Sequence, residues 1–206
     1  MAAADKGWMP LDIDFTTTAD ELKLGIAKMP AAWTLFLLGD GSPTLHLGLL
    51  TGYTTEVDVL SFDCIGDSPD QAPTEIQDIE GPRHRRQVYL RNTNGERLGY
   101  AASWWHSSDI EALFGTDKTL PIGRQITTKK KELFRDIKHI FRGHSVALEK
   151  EFGMQGPFWG RSYLFWQGGR PITLIYEVFS PRLEKYLGEI DVPARDAVAG
   201  TSTSSS

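Results

Sequence analysis

One run, GPFWGRSYLFWQGGRPITLIYEVFSP at positions 156–181, constrains this chain more than any other stretch. Trp159, Arg161, Tyr163 and Phe165 alternate with Gly160, Ser162, Leu164 and Trp166, which is the period of a strand. Gln167-Gly168-Gly169-Arg170 supplies a Gly-Gly turn, and a return strand is expected over about 171–179. On that strand Ile172, Leu174, Tyr176 and Val178 share one face, and Thr173, Ile175, Glu177 and Phe179 the other. Both faces are largely apolar, so both are expected to be covered. Glu177 then points into a covered space, where a carboxylate is costly unless it is neutralised, paired or used. Arg161 on the facing strand is its candidate neighbour. A structural Glu–Arg pair and a functional carboxylate both fit.

With 206 residues, the chain is most simply one domain with a proper core. Hydrophobic content of 40%, charged content of 24% and a net charge of −5 describe an ordinary globular protein. They exclude a general nucleic-acid or membrane-surface binder. No apolar stretch approaches the roughly 20 residues needed to span a bilayer. The opening MAAADKGWMPLDID lacks a basic start followed by an apolar run, so no secretory signal is expected and the expected compartment is the cytoplasm. The single Cys64 excludes an internal disulfide and reads as a packing residue.

Residues 1–15 show little periodicity and are expected to be a flexible arm, 16–190 one domain, and 191–206 a disordered polar tail. Thr18-Ala19-Asp20-Glu21 has the capping-box pattern, so a helix should run on to about Lys28, ahead of Pro30. The run Trp33-Thr34-Leu35-Phe36-Leu37-Leu38 is too short for periodicity to choose helix or strand. Residues 44–50 and 56–64 look extended, with Val57, Val59 and Ser61 on one face of the second segment. Residues 66–82 read as a loop. Asn94-Gly95 marks a hairpin between a strand through Arg86, Val88 and Leu90 and one over 97–105. An irregular connection follows over 106–128. Leu133, Phe134, Ile137, Ile140 and Phe141 then predict a helix over about 128–142, with Gly143 as its C′ residue. A short helical piece carrying Val146, Leu148 and Phe152 precedes the central hairpin. Hairpins with segregated helices make an α+β domain, an antiparallel sheet with helices packed on it.

The five histidines, at 46, 84, 106, 139 and 144, form no metal-binding spacing. No P-loop, dinucleotide fingerprint or Gly-x-Ser-x-Gly elbow occurs, so no metal and no cofactor is expected. Lys129-Lys130-Lys131 reads as a solvated helix start. In Arg83-His84-Arg85-Arg86, alternation places Arg86 with Val88 and Leu90. If that face is inward, Arg86 is a buried guanidinium suited to clamp a carboxylate. Arg85 should face the other way, and its loss should cost little. One covered Arg, one covered Glu and aromatic walls suit a small ring-sized anion bearing a hydroxyl or a labile proton.

Trp159-Gly160-Arg161, Pro171, Glu177-Val178-Phe179 and Pro181 resemble the signature of chorismate lyase (chorismate pyruvate-lyase), which cleaves chorismate to 4-hydroxybenzoate and pyruvate. Gly39-Asp40-Gly41-Ser42-Pro43-Thr44, Arg86-Gln87-Val88-Tyr89-Leu90 and Pro121-Ile122-Gly123 agree in the family's order. The phrasings RRQVYLRN, YAASWW, GPFWGRSYLFW and PITLIYEVFSP are most similar to the cyanobacterial and plastid branch. The likeness runs from about 33 to 188.

The resemblance implies a sheet with helices on it and a buried ligand cavity. It places the family's ligand-binding arginine on Arg86, its carboxylate on Glu177, and its two backbone contacts on Pro43 and Ile122. Pro43 has no N–H, so a contact there must use its carbonyl or a neighbour such as Thr44. Leu45 stands where many members carry a basic residue. The implied activity needs orientation, charge neutralisation and proton management, without a cofactor. Arg86 would bind a carboxylate and Glu177 would contact the C4 hydroxyl and act as base. Arg161 would be a second cation or a structural partner of the Glu. The product would enter quinone biosynthesis, plastoquinone or another. The alternative is a non-catalytic, effector-sensing module of the same fold. Such modules normally follow a DNA-binding helix-turn-helix, which is not expected within the about thirty residues before the matching region.

Overall fold

The computed structural model describes residues 7–24, 29–114 and 133–190. Seven strands form one antiparallel sheet: β1 (Asp12–Thr18), β2 (Thr55–Gly66), β3 (Arg83–Asn92), β4 (Arg97–His106), β5 (Phe134–His144), β6 (Phe158–Gln167) and β7 (Arg170–Phe179). Their order is β1-β5-β6-β7-β4-β3-β2, which puts the expected central hairpin, β6–β7, in the middle. Its turn is the Gly-Gly pair, with φ of 58° at Gly168 and 80° at Gly169. Those are the two positive angles that a two-residue turn twisted to match its strands requires. Arg161 lies directly opposite Glu177 in that hairpin.

Both faces of the sheet are covered, as their apolar character demands. One carries helices α1 (Ala19–Lys23), α2 (Ala31–Leu38) and α3 (Pro43–Thr51). Trp33, Phe36, Leu37 and Leu47 pack there with Val88, Leu90, Trp159 and Phe179. Helix α4 (Ser107–Phe114) closes one end, where Ile110 meets Trp105, Phe165 and Ile172. Over the other face lie α5 (Val146–Phe152), the short 3₁₀ turn Thr74–Asp78 and the segment from Trp8 to Leu11, on Tyr100, Trp104, Leu174 and Tyr176. A last helix, α6 (Glu184–Leu187), returns to the first face through Leu187.

Several sequence expectations are corrected. The stripe that predicts a helix over 128–142 belongs to strand β5 where the structure describes it. A register shift between Ile137 and His139 explains the false period. The extra residue lets Ile137 and Ile140, three apart, turn to the same face, imitating helical spacing. Gly143 is therefore no helix cap. It lies in β5 opposite Ile13 of β1, so close that an added Cβ would land on the Asp12 carbonyl. Gly143→Ala is expected to displace β1 and cost about 1–3 kcal/mol, as overpacking does. An unchanged melting temperature would count against that close approach.

Strand β1 itself begins at Asp12, inside the segment expected to be a loose arm. It is an edge strand with little burial, so its sequence carries no clean alternation. Upstream of it, the Met9 and Leu11 N–H groups donate to the Tyr100 and Tyr176 hydroxyls at 3.0 and 3.1 Å. Residues 44–50, expected to be extended, lie in α3, whose Pro43 at the first turn and left-handed Gly52 are ordinary helix delimiters. The undecided run 33–38 is helical. In β2 a register shift between Val59 and Ser61 breaks the assumed face, and Ser61 instead accepts from Gln87. Part of the connection after His106 is α4, and the 66–82 loop contains the 3₁₀ turn. Cys64 is exposed rather than packed. The Thr18–Glu21 capping box is present, with α1 ending at Lys23. Residues 25–28, Ile122, Lys129 to Lys131 and the tail from 191 lie outside the described residues.

Candidate functional site

A cavity of about 200 Å³ lies between the sheet and the turn joining α2 to α3. Its floor combines Arg86 of β3, Ser103 of β4, Ile175 and Glu177 of β7, Tyr163 of β6 and Arg135 of β5. Strand pairing sets this arrangement, since Arg86, Ser103, Ile175 and Tyr163 stand opposite one another across four successive strands. Asp40, Ser42, Pro43 and Thr44 form the facing wall. The space is below the range of drug-sized pockets and suits one small ring.

Arg86 sits where alternation placed it, beside Val88 and Leu90, and is 2% exposed. Burial lowers its pKa to about 10, which still leaves it charged at neutral pH. Glu177 is 5% exposed, and both its oxygens are oriented. Arg161 Nε donates to Oε2 at 2.9 Å, and the Tyr163 hydroxyl donates to Oε1 at 2.7 Å. Burial, then the Glu177 charge, pushes the Tyr163 phenol far up, so it stays a donor. Each carboxylate oxygen retains a lone pair for a ligand hydroxyl.

Arg161 stands behind Glu177, outside the cavity lining. Its Nη1 donates to the carbonyls of Leu37 at 2.7 Å and of Phe36 and Gly39 at 3.3 Å. These lie at the C-terminal end of α2, where carbonyls lack helical partners and favour a cation. The structural pair and the lining carboxylate are thus one and the same Glu177. The second guanidinium in the lining is Arg135. Sequence reasoning missed it because the bulge in β5 disguised that strand as a helix. Tyr163, which the sequence marks only as one of the alternating residues of its strand, is the other side chain that holds Glu177.

Pro43 lines the cavity at the start of α3. It has no N–H to offer, and its neighbours Ser42 and Thr44 both line the cavity as candidate donors. Leu45 is 59% exposed, away from the lining. Behind the turn, burial and then the charges of Arg161 and Arg135 hold His46 below the usual imidazole range. It is therefore neutral at neutral pH. Among the described residues no group of three or more His, Cys, Asp or Glu could hold a metal ion, and no helix is long and apolar enough to cross a membrane.

Arg85 does face the other way, but it is not a surface residue. It is fully buried and donates to Asp70 at 2.7 Å and Asp63 at 3.2 Å. Asp70 also accepts from Trp104 Nε1 at 2.8 Å, and its carbonyl from Trp8 Nε1 at 2.7 Å. Arg85 is therefore expected to matter for stability, while its place outside the cavity lining keeps the expectation that its loss costs ligand binding little. Both faces of this strand are interior, so alternation separates two buried environments.

A family model described as "Chorismate pyruvate-lyase Rv2949c-like" matches residues 37–187. An uncharacterized protein, ycf21, of Porphyra purpurea is 36% identical over 77% of this chain and 86% of its own length. Its counterpart in Cyanophora paradoxa is 38% identical over 72% of this chain and 77% of its own. Among solved structures, the effector domain of PhnF from Mycobacterium smegmatis superposes with a TM-score of 0.55. That match covers 71% of this chain and 92% of that one at 13% identity. A possible transcriptional regulator, YydK, of Bacillus subtilis gives 0.52 over 85% and 98% at 14% identity. At such identities the likeness is one of fold.

Proposed function

We propose that this chain, which belongs to the chorismate pyruvate-lyase Rv2949c-like family, cleaves chorismate to 4-hydroxybenzoate and pyruvate in the cavity shared by Arg86 and Glu177. The observation that carries this reading is a buried carboxylate with both oxygens oriented, in the same 200 Å³ space as a buried guanidinium. Chorismate carries a ring carboxylate, a C4 hydroxyl and an enolpyruvyl ether at C3. Arg86 binds the ring carboxylate by charge-assisted hydrogen bonds. Glu177 accepts from the C4 hydroxyl and takes the C4 proton. The C4–H electron pair becomes a ring double bond, and the C3–oxygen pair leaves with enolpyruvate. Protonation of that fragment at carbon gives pyruvate. Aromatisation supplies much of the driving force, and the protein contributes positioning and a base. Tyr163 and Arg161 keep the Glu177 carboxylate in one orientation. The 4-hydroxybenzoate is proposed to feed quinone biosynthesis.

The direct test is to add chorismate and quantify both products, which should form in equal amounts. Binding of 4-hydroxybenzoate without any product would favour the effector-sensing alternative. Turnover should also survive exhaustive chelation, because the proposed chemistry uses no metal. Loss of activity with EDTA that returns on adding metal would overturn that part.

A further inference from the structure

Arg135 is a second buried cation that the proposed steps leave unassigned. It is 8% exposed and lines the same cavity as Arg86 and Glu177. Its Nη1 donates to the Gly39 and Gly41 carbonyls, each at 2.9 Å. Its guanidinium lies over the rings of Tyr163 and Phe165, with centroids 4.7 and 5.1 Å away. Its Nε is buried with no hydrogen-bond partner among the described residues. Neutral carbonyls and ring faces orient this charge without cancelling it. A buried cation held in that way is costly unless an anion joins it.

Its placement relative to Arg86 follows from the sheet. Strands β6, β7 and β4 separate β5 from β3, so the two guanidiniums enter the cavity from opposite sides of its floor. Tyr163, Ile175 and Ser103 lie between them. The first turn of α3 forms the adjoining wall through Ser42 and Thr44. Arg135 is tied to that turn by its bond to the Gly41 carbonyl. Two cations across a one-ring space match a ring that carries two carboxylates.

We infer that Arg135 is the second anion clamp of this cavity, holding the enolpyruvyl carboxylate while Arg86 holds the ring carboxylate. The assignment of the two carboxylates rests on the proposed chorismate reaction. Two clamps make the site selective for dicarboxylates. Cleavage then divides the two anions between two products, so each product leaves with only part of the substrate's anchoring.

The test uses stable aromatic ligands that need no turnover. Wild-type protein is titrated calorimetrically with 3-(carboxymethoxy)-4-hydroxybenzoate and with 3-methoxy-4-hydroxybenzoate, which differ by one carboxylate. The dicarboxylate should bind roughly 10- to 100-fold more tightly, the contribution of one charge-assisted contact. Arg135→Met should bring that ratio close to one while changing the Kd for 4-hydroxybenzoate by less than about threefold. Arg135→Lys, which keeps the charge but not the fork, should lie between. Equal wild-type affinity for the two ethers overturns the inference. So does a Met variant that keeps the preference, or that weakens 4-hydroxybenzoate as much as the dicarboxylate. Should the Met variant not fold, the wild-type ratio and the Lys variant decide, and an unchanged ratio in the Lys variant overturns the bidentate clamp. A dicarboxylate preference without product from chorismate would sink the lyase reading and leave the clamp standing. Product formation without the preference would sink the clamp alone.

Discussion

Glu177→Gln is expected to slow single-turnover cleavage of chorismate by roughly 10²–10⁴-fold, the usual contribution of a general base. The substitution keeps the shape of the side chain and its ability to meet a hydroxyl, so affinity for 4-hydroxybenzoate should change far less. It also removes the negative partner of Arg161, whose Nε bond to Oε2 is 2.9 Å long in a fully covered setting. Breaking a buried pair from one side costs about 3–5 kcal/mol when nothing else holds the remaining charge. Here three backbone carbonyls still accept from Arg161, so the melting temperature should fall by less than that figure implies. Rates must be measured well below the variant's own melting temperature. Turnover within tenfold of wild type, in a protein that has merely lost stability, would return Glu177 to a structural role.

The neighbouring arginines of β3 should separate cleanly. Arg86→Ala removes charge-assisted bonds worth about 1.5–3 kcal/mol each. A two-bond clamp on a carboxylate therefore predicts a Kd for 4-hydroxybenzoate raised by roughly 10²–10⁴-fold. Arg85→Ala should leave that Kd nearly unchanged. It strips Asp70, whose side chain is 12% exposed, of its guanidinium, and should cost about 3–5 kcal/mol. For a chain of this size that is a melting-temperature drop of roughly 6–20 °C. Calorimetric titration and thermal melts on the two variants check both halves. A ligand-binding defect in the Arg85 variant, with a merely unstable Arg86 variant, would show that the two faces are assigned the wrong way round.

In the β6–β7 hairpin a register shift between Phe165 and Trp166, and not the turn, sets Arg161 opposite Glu177; an unshifted two-residue turn would set it opposite Tyr176. The two strands themselves and their Gly-Gly turn followed from local signals, a two-residue period and a pair of glycines. The same holds for Arg86, whose face follows from Val88 and Leu90, and for the α1 capping box, which closes within four residues. What lies beyond that strand face was not local. Nothing in Arg83-His84-Arg85-Arg86 says that Asp63, Asp70 and two tryptophans wait on the far side, so the sequence placed Arg85 on the face opposite Arg86 without showing that it is buried.

Strand β5 was hidden for a different reason. Its bulge shows in the pairing with β6, a distant segment, and with the bulge in place a strand shows the apolar spacing of a helix. Arg135 was lost with it. The role of Arg161 also waited on tertiary structure, since the carbonyls that draw it behind Glu177 belong to α2, more than 120 positions away. Local sequence specifies backbone period and turn chemistry. Which of several buried charges faces the cavity depends on the partners that distant segments bring to it, because a buried charge settles wherever its solvation is best replaced.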